Sequence, residues 1–309
     1  DAGLSALTDS NWRSLMILAV LAALLAIEAP RIRREGRARD YRQSYLANFG
    51  SLVFNDVLLS LLSASTLWVI ANRYAGDGLL SELAPGLGKT LLAFLLLDLT
   101  LYLWHRANHH FGWLWLFHKV HHSDPVMNVS TAFRLHIGEV LLGALVKVLF
   151  IVAVGVDATL VLANEALITL WVLFHHTPVQ FPGERWLGRV LTMPYLHRAH
   201  HSSLRAEHDA NYGAMLSCWD RWFGTLRESE PQSLGLHGVP GQNGFELLRF
   251  GFTLHPAMAG SARPVESSIP FHEWVAKAAY FRAEKRGFAP GDEISDWLEA
   301  EREYHALRA

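Results

Sequence analysis

Apolar residues run without a polar face over 14–30 (SLMILAVLAALLAIEAP) and 46–72 (LANFGSLVFNDVLLSLLSASTLWVIAN), so neither stretch shows the one-sided periodicity of a surface helix. Both are long enough to approach or cross a hydrocarbon core of roughly 30 Å. Three further runs share this character: 89–105 (KTLLAFLLLDLTLYLWH), 139–156 (EVLLGALVKVLFIVAVGV) and 158–176 (ATLVLANEALITLWVLFHH). The last two are close enough to form a tight hairpin that need not fully cross the bilayer. This pattern predicts an all-α integral membrane bundle of four to five spans, with a cytosolic helical cap formed by the polar remainder. A water-soluble helical protein is the alternative, since Asp98, Lys147 and Glu165 interrupt the runs. Five such runs are nevertheless hard to reconcile with a soluble surface.

Between the first two runs, RIRREGRARDYR (31–42) reads as a loop holding six Arg against two acids, whereas 1–13 and 73–88 are nearly balanced. The positive-inside rule makes that loop cytoplasmic, together with everything after residue 176. The stretch PAMAGSARPVESS then reads as a linker. The expected organisation is a membrane-embedded region at 1–257, a linker at 258–270 and a two-helix tail at 271–309. The tail sequence places Phe271, Trp274, Val275, Ala278 and Ala279 on one helix face, and Ile294, Trp297, Leu298 and Tyr304 on another. With its DWLEAE segment it resembles a small bacterial helical domain of unknown function. GLGKT at 86–90 mimics a phosphate loop, but Leu83 stands where the required glycine belongs and no strand precedes it.

Composition sharpens this picture. Charged residues make up 18% of the chain, against about 25% in ordinary soluble proteins, and the mean hydropathy is +0.15. Cys218 is the only cysteine, so any metal is held by nitrogen or oxygen rather than by thiolates. A net charge of -2 excludes a nucleic-acid partner, which would demand a basic face. Arg outnumbers Lys 22 to 5, which points to a GC-rich bacterium and hence the inner membrane.

Thirteen of the 17 His fall between 105 and 208, and HxxHH occurs twice, as His118-Lys-Val-His121-His122 and His197-Arg-Ala-His200-His201. About 0.05 such triplets are expected by chance at this histidine frequency. Positions i, i+3 and i+4 share one helix face, so each triplet is expected to aim three imidazoles at one point. Asp98, Tyr102, His105 and His109 form a similar stripe, in which Asp98 and Tyr102 are candidate catalytic or orienting groups, and His176 closes the fifth run. Eight or nine clustered neutral imidazoles suggest two metal ions, because a zinc site needs only three or four ligands. The chain has neither HExxH nor Glu-x-x-His, which disfavours zincin and ferritin-like sites. An all-histidine dinuclear site remains, with iron favoured for oxygen chemistry. A membrane metal transporter or sensor is the rival class, but the histidines crowd one face and no inverted repeat is visible.

HRANH, HKVHH and HRAHH, with RLHIGE after the second motif and NYG then WDRWFGT after the third, resemble the fatty acid hydroxylase/sterol desaturase superfamily over roughly residues 45–257. The resemblance implies an integral-membrane di-iron enzyme that takes O2 and electrons from a separate reductase or carrier to hydroxylate or desaturate a lipid. Hydroxylation is the expected outcome, with lipid or sterol desaturation on the same site as the alternative. Two iron ions are the implied cofactors, replaceable by zinc in purified protein. Carried over by motif, the metal ligands are His105, His109, His118, His121, His122, His197, His200 and His201, with His176 as a ninth. His110, His136, His175 and His208 are candidates for supporting positions or an extra ligand.

Overall fold

The computed structural model describes residues 2–61, 67–253, 271–286, 288 and 290–306. The linker at 258–270 and His255 lie outside the described residues, and so does the side chain of Tyr304. Two compact units emerge, Asp1–Met258 and Ala259–Ala309. The first contains α1 (Ala2–Glu35), α2 (Ala38–Leu61), α3 (Leu67–Tyr74), α4 (Leu87–His110), α5 (Gly112–His122), α6 (Ile137–Val154), α7 (Ala158–His175), α8 (Pro194–His200) and α9 (Gly244–Phe250). Among the described residues there is no strand, only isolated bridges pairing Leu191 with Leu216 and Ser202 with Leu234.

Among the described residues, four segments are long and apolar enough to cross a membrane: Leu15–Glu35 of α1, and all of α4, α6 and α7. Only 11–33% of each is buried within the protein, so their outward apolar faces need lipid cover. The 18 residues of α6 and of α7 rise about 27 Å, close to the hydrocarbon thickness. The run at 46–72 falls on α2 and α3, with 62–66 outside the described residues, and neither helix by itself is among the candidate spans. Its inward face is also polar. Asn48 donates to Asp124 and Ser130 and accepts from Arg134, while Asn55 donates to the Leu135 carbonyl. The Arg-rich segment 31–42 is likewise no loop, for helix continues to Glu35 and resumes at Ala38. Charges on a solvated helix end do not break it, and Arg31–Glu35 and Arg37–Asp40 pair along its surface.

A buried polar hub fixes α5 against α2. Asp124 accepts hydrogen bonds from Ser44, Asn48 and Thr131, and the fully buried Arg134 donates to Asn48, Ser123, Gln242 and the Val120 carbonyl. Glu28 joins α1 to this hub, accepting from the Val129 amide and the Tyr45 hydroxyl. On the opposite side, α3, α4, α6 and α7 share an apolar core that includes Ala71, Leu97, Ile151, Val154 and Ile168.

The α6–α7 hairpin is as tight as expected. Gly155 ends α6 at φ 71, and Asp157 caps α7 by accepting from the Leu160 amide. The segment 77–80 grips the turn, with the Leu79 and Leu80 amides donating to Ala153 and Val154. A Cβ on Gly155 would meet the Asp77 carbonyl oxygen at 2.7 Å.

The second unit is a two-helix hairpin, α10 (Phe271–Lys285) and α11 (Glu293–Ala306). Val275 and Ala300 are its buried centre, with Phe271, Trp274, Ala278, Ala279 and Trp297 packed around them. The expected α10 face is the one used. On α11 the contact face has turned: Ala300 and Asp296 are buried, while Ile294 and Leu298 stay exposed. Asp296 tolerates this because Arg286 pairs with it.

Gly155→Ala combines a left-handed backbone with a steric clash and should destabilise the first unit by at least about 1 kcal/mol. Gly50→Ala in α2, where a Cβ meets nothing within 4 Å, should be neutral or stabilising. Thermal unfolding of both variants in lipid nanodiscs, followed by tryptophan fluorescence, measures the difference.

Candidate metal centre

Nine histidines converge in two adjoining clusters. His105, His109, His118, His122 and His200 form one, and His121, His176, His197 and His201 the other, with the ligand atoms of each within 4.8 Å of one another. These are the nine residues that the motifs single out. The clusters are contiguous: the His122 and His201 rings lie 4.7 Å apart and the His118 and His121 rings 5.4 Å apart.

The triplets do not each aim at one point. His118 and His122 serve the first cluster while His121 serves the second, and in α8 the division reverses, with His197 and His201 in the second cluster and His200 in the first. Helical geometry explains the split. At about 100° per residue, i and i+4 are about 40° apart, whereas i+3 lies about 100° from i+4 on the other side of i. An i, i+4 pair therefore shares one centre and the i+3 ring turns toward the other.

Hydrogen bonding at the outer ring nitrogens sets the tautomers. Nδ1 of His105 faces the Tyr212 carbonyl at 2.9 Å, Nδ1 of His200 the Ala210 carbonyl at 2.6 Å, and Nδ1 of His176 the Val172 carbonyl at 2.7 Å. Nδ1 of His118 faces the Glu139 carboxylate at 2.7 Å and Nδ1 of His109 the Asp209 carboxylate at 3.1 Å. Oxygens of these kinds only accept, so each Nδ1 carries the proton and each neutral ring turns a bare Nε2 lone pair inward. Those lone pairs meet one another. Nε2 of His105 and His118 are 3.1 Å apart, and Nε2 of His176 lies 2.9 Å from that of His197, a ring whose Nδ1 has no outer partner. Nε2 of His109 and His200 are buried without a partner.

This donor set fits metal ions. Metal–nitrogen bonds of about 2.0–2.1 Å bring neighbouring ligand nitrogens to about 3 Å from each other, and a cation turns repelling lone pairs into a coordination shell. Burial, reinforced by the neighbouring imidazoles, also holds His121, His122, His197, His200 and His201 well below the ordinary histidine pKa. They are therefore neutral, the form that binds a metal.

Glu139, Asp209 and the carbonyls of Val172, Ala210 and Tyr212 escape the motif reading. Glu139 hides in RLHIGE as an acid opening an apolar run, and Asp209 directly follows His208. Backbone carbonyls carry no side-chain signature at all. The NYG and WDRWFGT segments build the loop that presents two of them. Asp220 accepts from the Tyr212 and Gly213 amides and the Thr225 hydroxyl, and burial raises its pKa to about 6. Asn211 holds φ 56 by bonding the Leu196 and Arg227 backbone.

Asp98 does not orient an imidazole. Its carboxylate accepts from the Met215 and Leu216 amides and the Trp219 indole, so it anchors this loop to α4. Tyr102 is a companion anchor, bonded through its hydroxyl to Thr225 and stacked on Phe223. His136 is not a ligand: its Nδ1 accepts the Gly138 amide as the cap of α6, and its ring stacks on Phe117. His110 is exposed and packs on Phe111. His175 stacks on His197 at 3.9 Å between ring centroids, and His208 stacks on Trp115 while Nδ1 meets the Ser202 carbonyl. Both flank the clusters without entering either, although His208, His109 and Asp209 form a smaller group of their own.

Beside the histidines lies an apolar cavity of about 370 Å³, walled by His105, His118, His121 and His176 at one end and by Leu101, Ile168 and Val172 further into the spans.

In comparison with known proteins, residues 90–225 match the fatty acid hydroxylase family, and residues 270–306 match a family of proteins of unknown function (DUF2934). An alkylglycerol monooxygenase of Danio rerio is 33% identical over 53% of this chain and 36% of its own length. The ornithine lipid hydroxylase OlsE of Rhizobium tropici is 29% identical over 50% of the chain and 46% of its own length. The human alkylglycerol monooxygenase is 31% identical, over 52% and 35% respectively. The chain thus spans less than half the length of each of these relatives. No solved structure matches it. With its four apolar helices, the chain is an integral membrane protein.

Elemental analysis of folded protein should give two metal ions per chain. His121→Ala and His200→Ala, each removing a ligand from a different cluster, should lower that number, whereas exposed His272→Ala should not. Glu139→Gln should keep the fold and weaken metal retention about 10- to 100-fold against a chelator.

Proposed function

We propose, for a chain whose histidine-bearing region is a fatty acid hydroxylase domain, that it hydroxylates a membrane lipid at a di-iron centre held by the nine histidines. The observation that carries this reading is the junction of both clusters with an apolar cavity reaching into the spans. Two iron ions bound by the clusters supply the redox chemistry that activates O2, which zinc lacks.

The protein's own part is arrangement. Outer hydrogen bonds turn the imidazoles inward, burial keeps them neutral, and the apolar cavity wall excludes water from the reacting carbon. In the net reaction a lipid C–H becomes C–OH with one oxygen atom of O2. The other oxygen leaves as water, with two electrons and two protons from outside. The chain has no haem or iron–sulfur motif, so a separate reductase or carrier delivers the electrons.

The names of the relatives, a monooxygenase of alkylglycerols and a hydroxylase of ornithine lipid, support hydroxylation over desaturation. Hydroxylation also asks less of the geometry, one C–H bond at the centre rather than two adjacent ones. The arginines at 31–42 favour a site on the cytoplasmic side, and the Arg excess favours a bacterial inner membrane. Residues 1–257 are read as the oxidase region and 271–309 as a separate tail joined by a linker. The tail contains none of the nine histidines.

Labelled dioxygen supplied with an electron source should yield a lipid heavier by one labelled oxygen. A product lighter by two hydrogens and free of label would transfer the chain to the desaturases. Sidedness is checked at Ala206, which is exposed close to α8. In a Cys218→Ser background, Ala206→Cys should react with a membrane-impermeant thiol reagent only from the cytoplasmic side, and labelling from the opposite side would invert the topology.

A further inference from the structure

Lys147 of α6 and Glu165 of α7 form an ion pair inside the membrane-spanning segments, and both line the cavity that carries the histidines. Exchanging a partly buried ion pair for apolar side chains of similar volume is often neutral or stabilising, so its presence in an apolar wall is not explained by stability. Ionisable residues within spans mark function by default.

Their position along the helices is informative. On α7 the lining descends from His175 through Leu173, Val172, Thr169 and Ile168 and stops at Glu165. On α6 only Glu139 and Lys147 line it. The pair thus stands at the end of this lining farthest from the metal ligands. Lys147 is eight residues from Glu139, which bonds His118, and Glu165 is eleven from His176, so at 1.5 Å per residue the pair stands about 12–16 Å from the clusters. Lys147 also borders a second cavity of about 670 Å³, which shares Leu101, Trp104, Leu135 and Glu139 with the first and runs beside the exposed Leu141 and Leu145.

We infer that the Lys147–Glu165 pair is a length gauge for the lipid substrate, the polar floor against which a linear hydrocarbon tail ends. The inference rests on the cavity being the substrate chamber. A tail that stops short of the pair buries its methylenes against Leu101, Ile168 and Val172. A longer tail must press methylenes onto two charges or displace them. An extended chain advances about 1.2 Å per bond, so the limit falls at about 10–14 carbons beyond the reacting end. The ligand class is a lipid with a linear saturated tail of that reach, and sterols, whose rigid rings are wider, are disfavoured.

The test measures binding of linear primary alcohols of increasing length, in mixed micelles, to the metal-loaded full-length protein. Affinity should stay nearly level with length, since the micelle already shelters the tail from water, and then fall beyond the limit. In Lys147→Met/Glu165→Met the fall should move to tails longer by about two carbons or more, because the floor is now apolar. The charge-exchanged Lys147→Glu/Glu165→Lys should keep the wild-type limit. A limit that stays put in the double-Met protein, one that moves equally in the charge-exchanged protein, or no limit in the wild type overturns the gauge. Binding needs no turnover, so a gauge that holds while no labelled product forms would remove the hydroxylase reading and leave the gauge standing.

Discussion

Bare Nε2 lone pairs facing one another, as those of His105 and His118 do at 3.1 Å, are mutually repulsive, and the surrounding structure holds them there. Each pinned ring is held from behind by an oxygen from a different element: Glu139 at the start of α6, the Val172 carbonyl in α7, and Asp209 with the Ala210 and Tyr212 carbonyls in the loop after α8. That loop is in turn tied down by Asp220 from within and by Asp98 from α4. The apolar spans and the polar cap are therefore joined by one connected hydrogen-bond network centred on the imidazoles.

How much of this is legible in the sequence depends on whether identity or geometry carries the information. The histidine triplets, the hairpin and four of the five apolar runs follow from residue type and spacing, while the full set of nine histidines also draws on the family resemblance. The exchange of His121 and His200 between clusters does not, since spacing gives a shared helix face but not the side toward which each ring turns. Asp98 reads as a histidine partner because it lies on the same stripe, yet its carboxylate is taken by backbone amides 117 and 118 residues away. His136 sits among the ligands in sequence and serves as a helix cap, since the amide of Gly138 needs an acceptor where α6 begins. In α2 a near-continuous apolar run conceals Asn48 and Asn55, whose partners Asp124, Arg134 and Leu135 come from the α5–α6 connection.

Apart from Glu35 at the end of the first, four acids lie within the spanning segments, each with a distinct partner. Glu28 holds the Val129 amide and Tyr45, Asp98 holds the 215–219 segment, Glu139 holds His118, and Glu165 holds Lys147. The first three brace the frame around the histidines. The fourth differs in chemistry, since among these it alone bonds an ammonium group rather than an amide, a hydroxyl or a ring N–H.

The crossed triplets make the two metal positions parts of one object. On the proposed metallation, an ion in the first position fixes α5 through His118 and His122 and α8 through His200, and those same helices carry His121, His197 and His201 toward the second. The ordering cost of the second position is then largely met by the first, and linkage makes the relation reciprocal. In a cell short of iron, such chains divide into filled and empty molecules rather than sharing the metal evenly as half-filled ones.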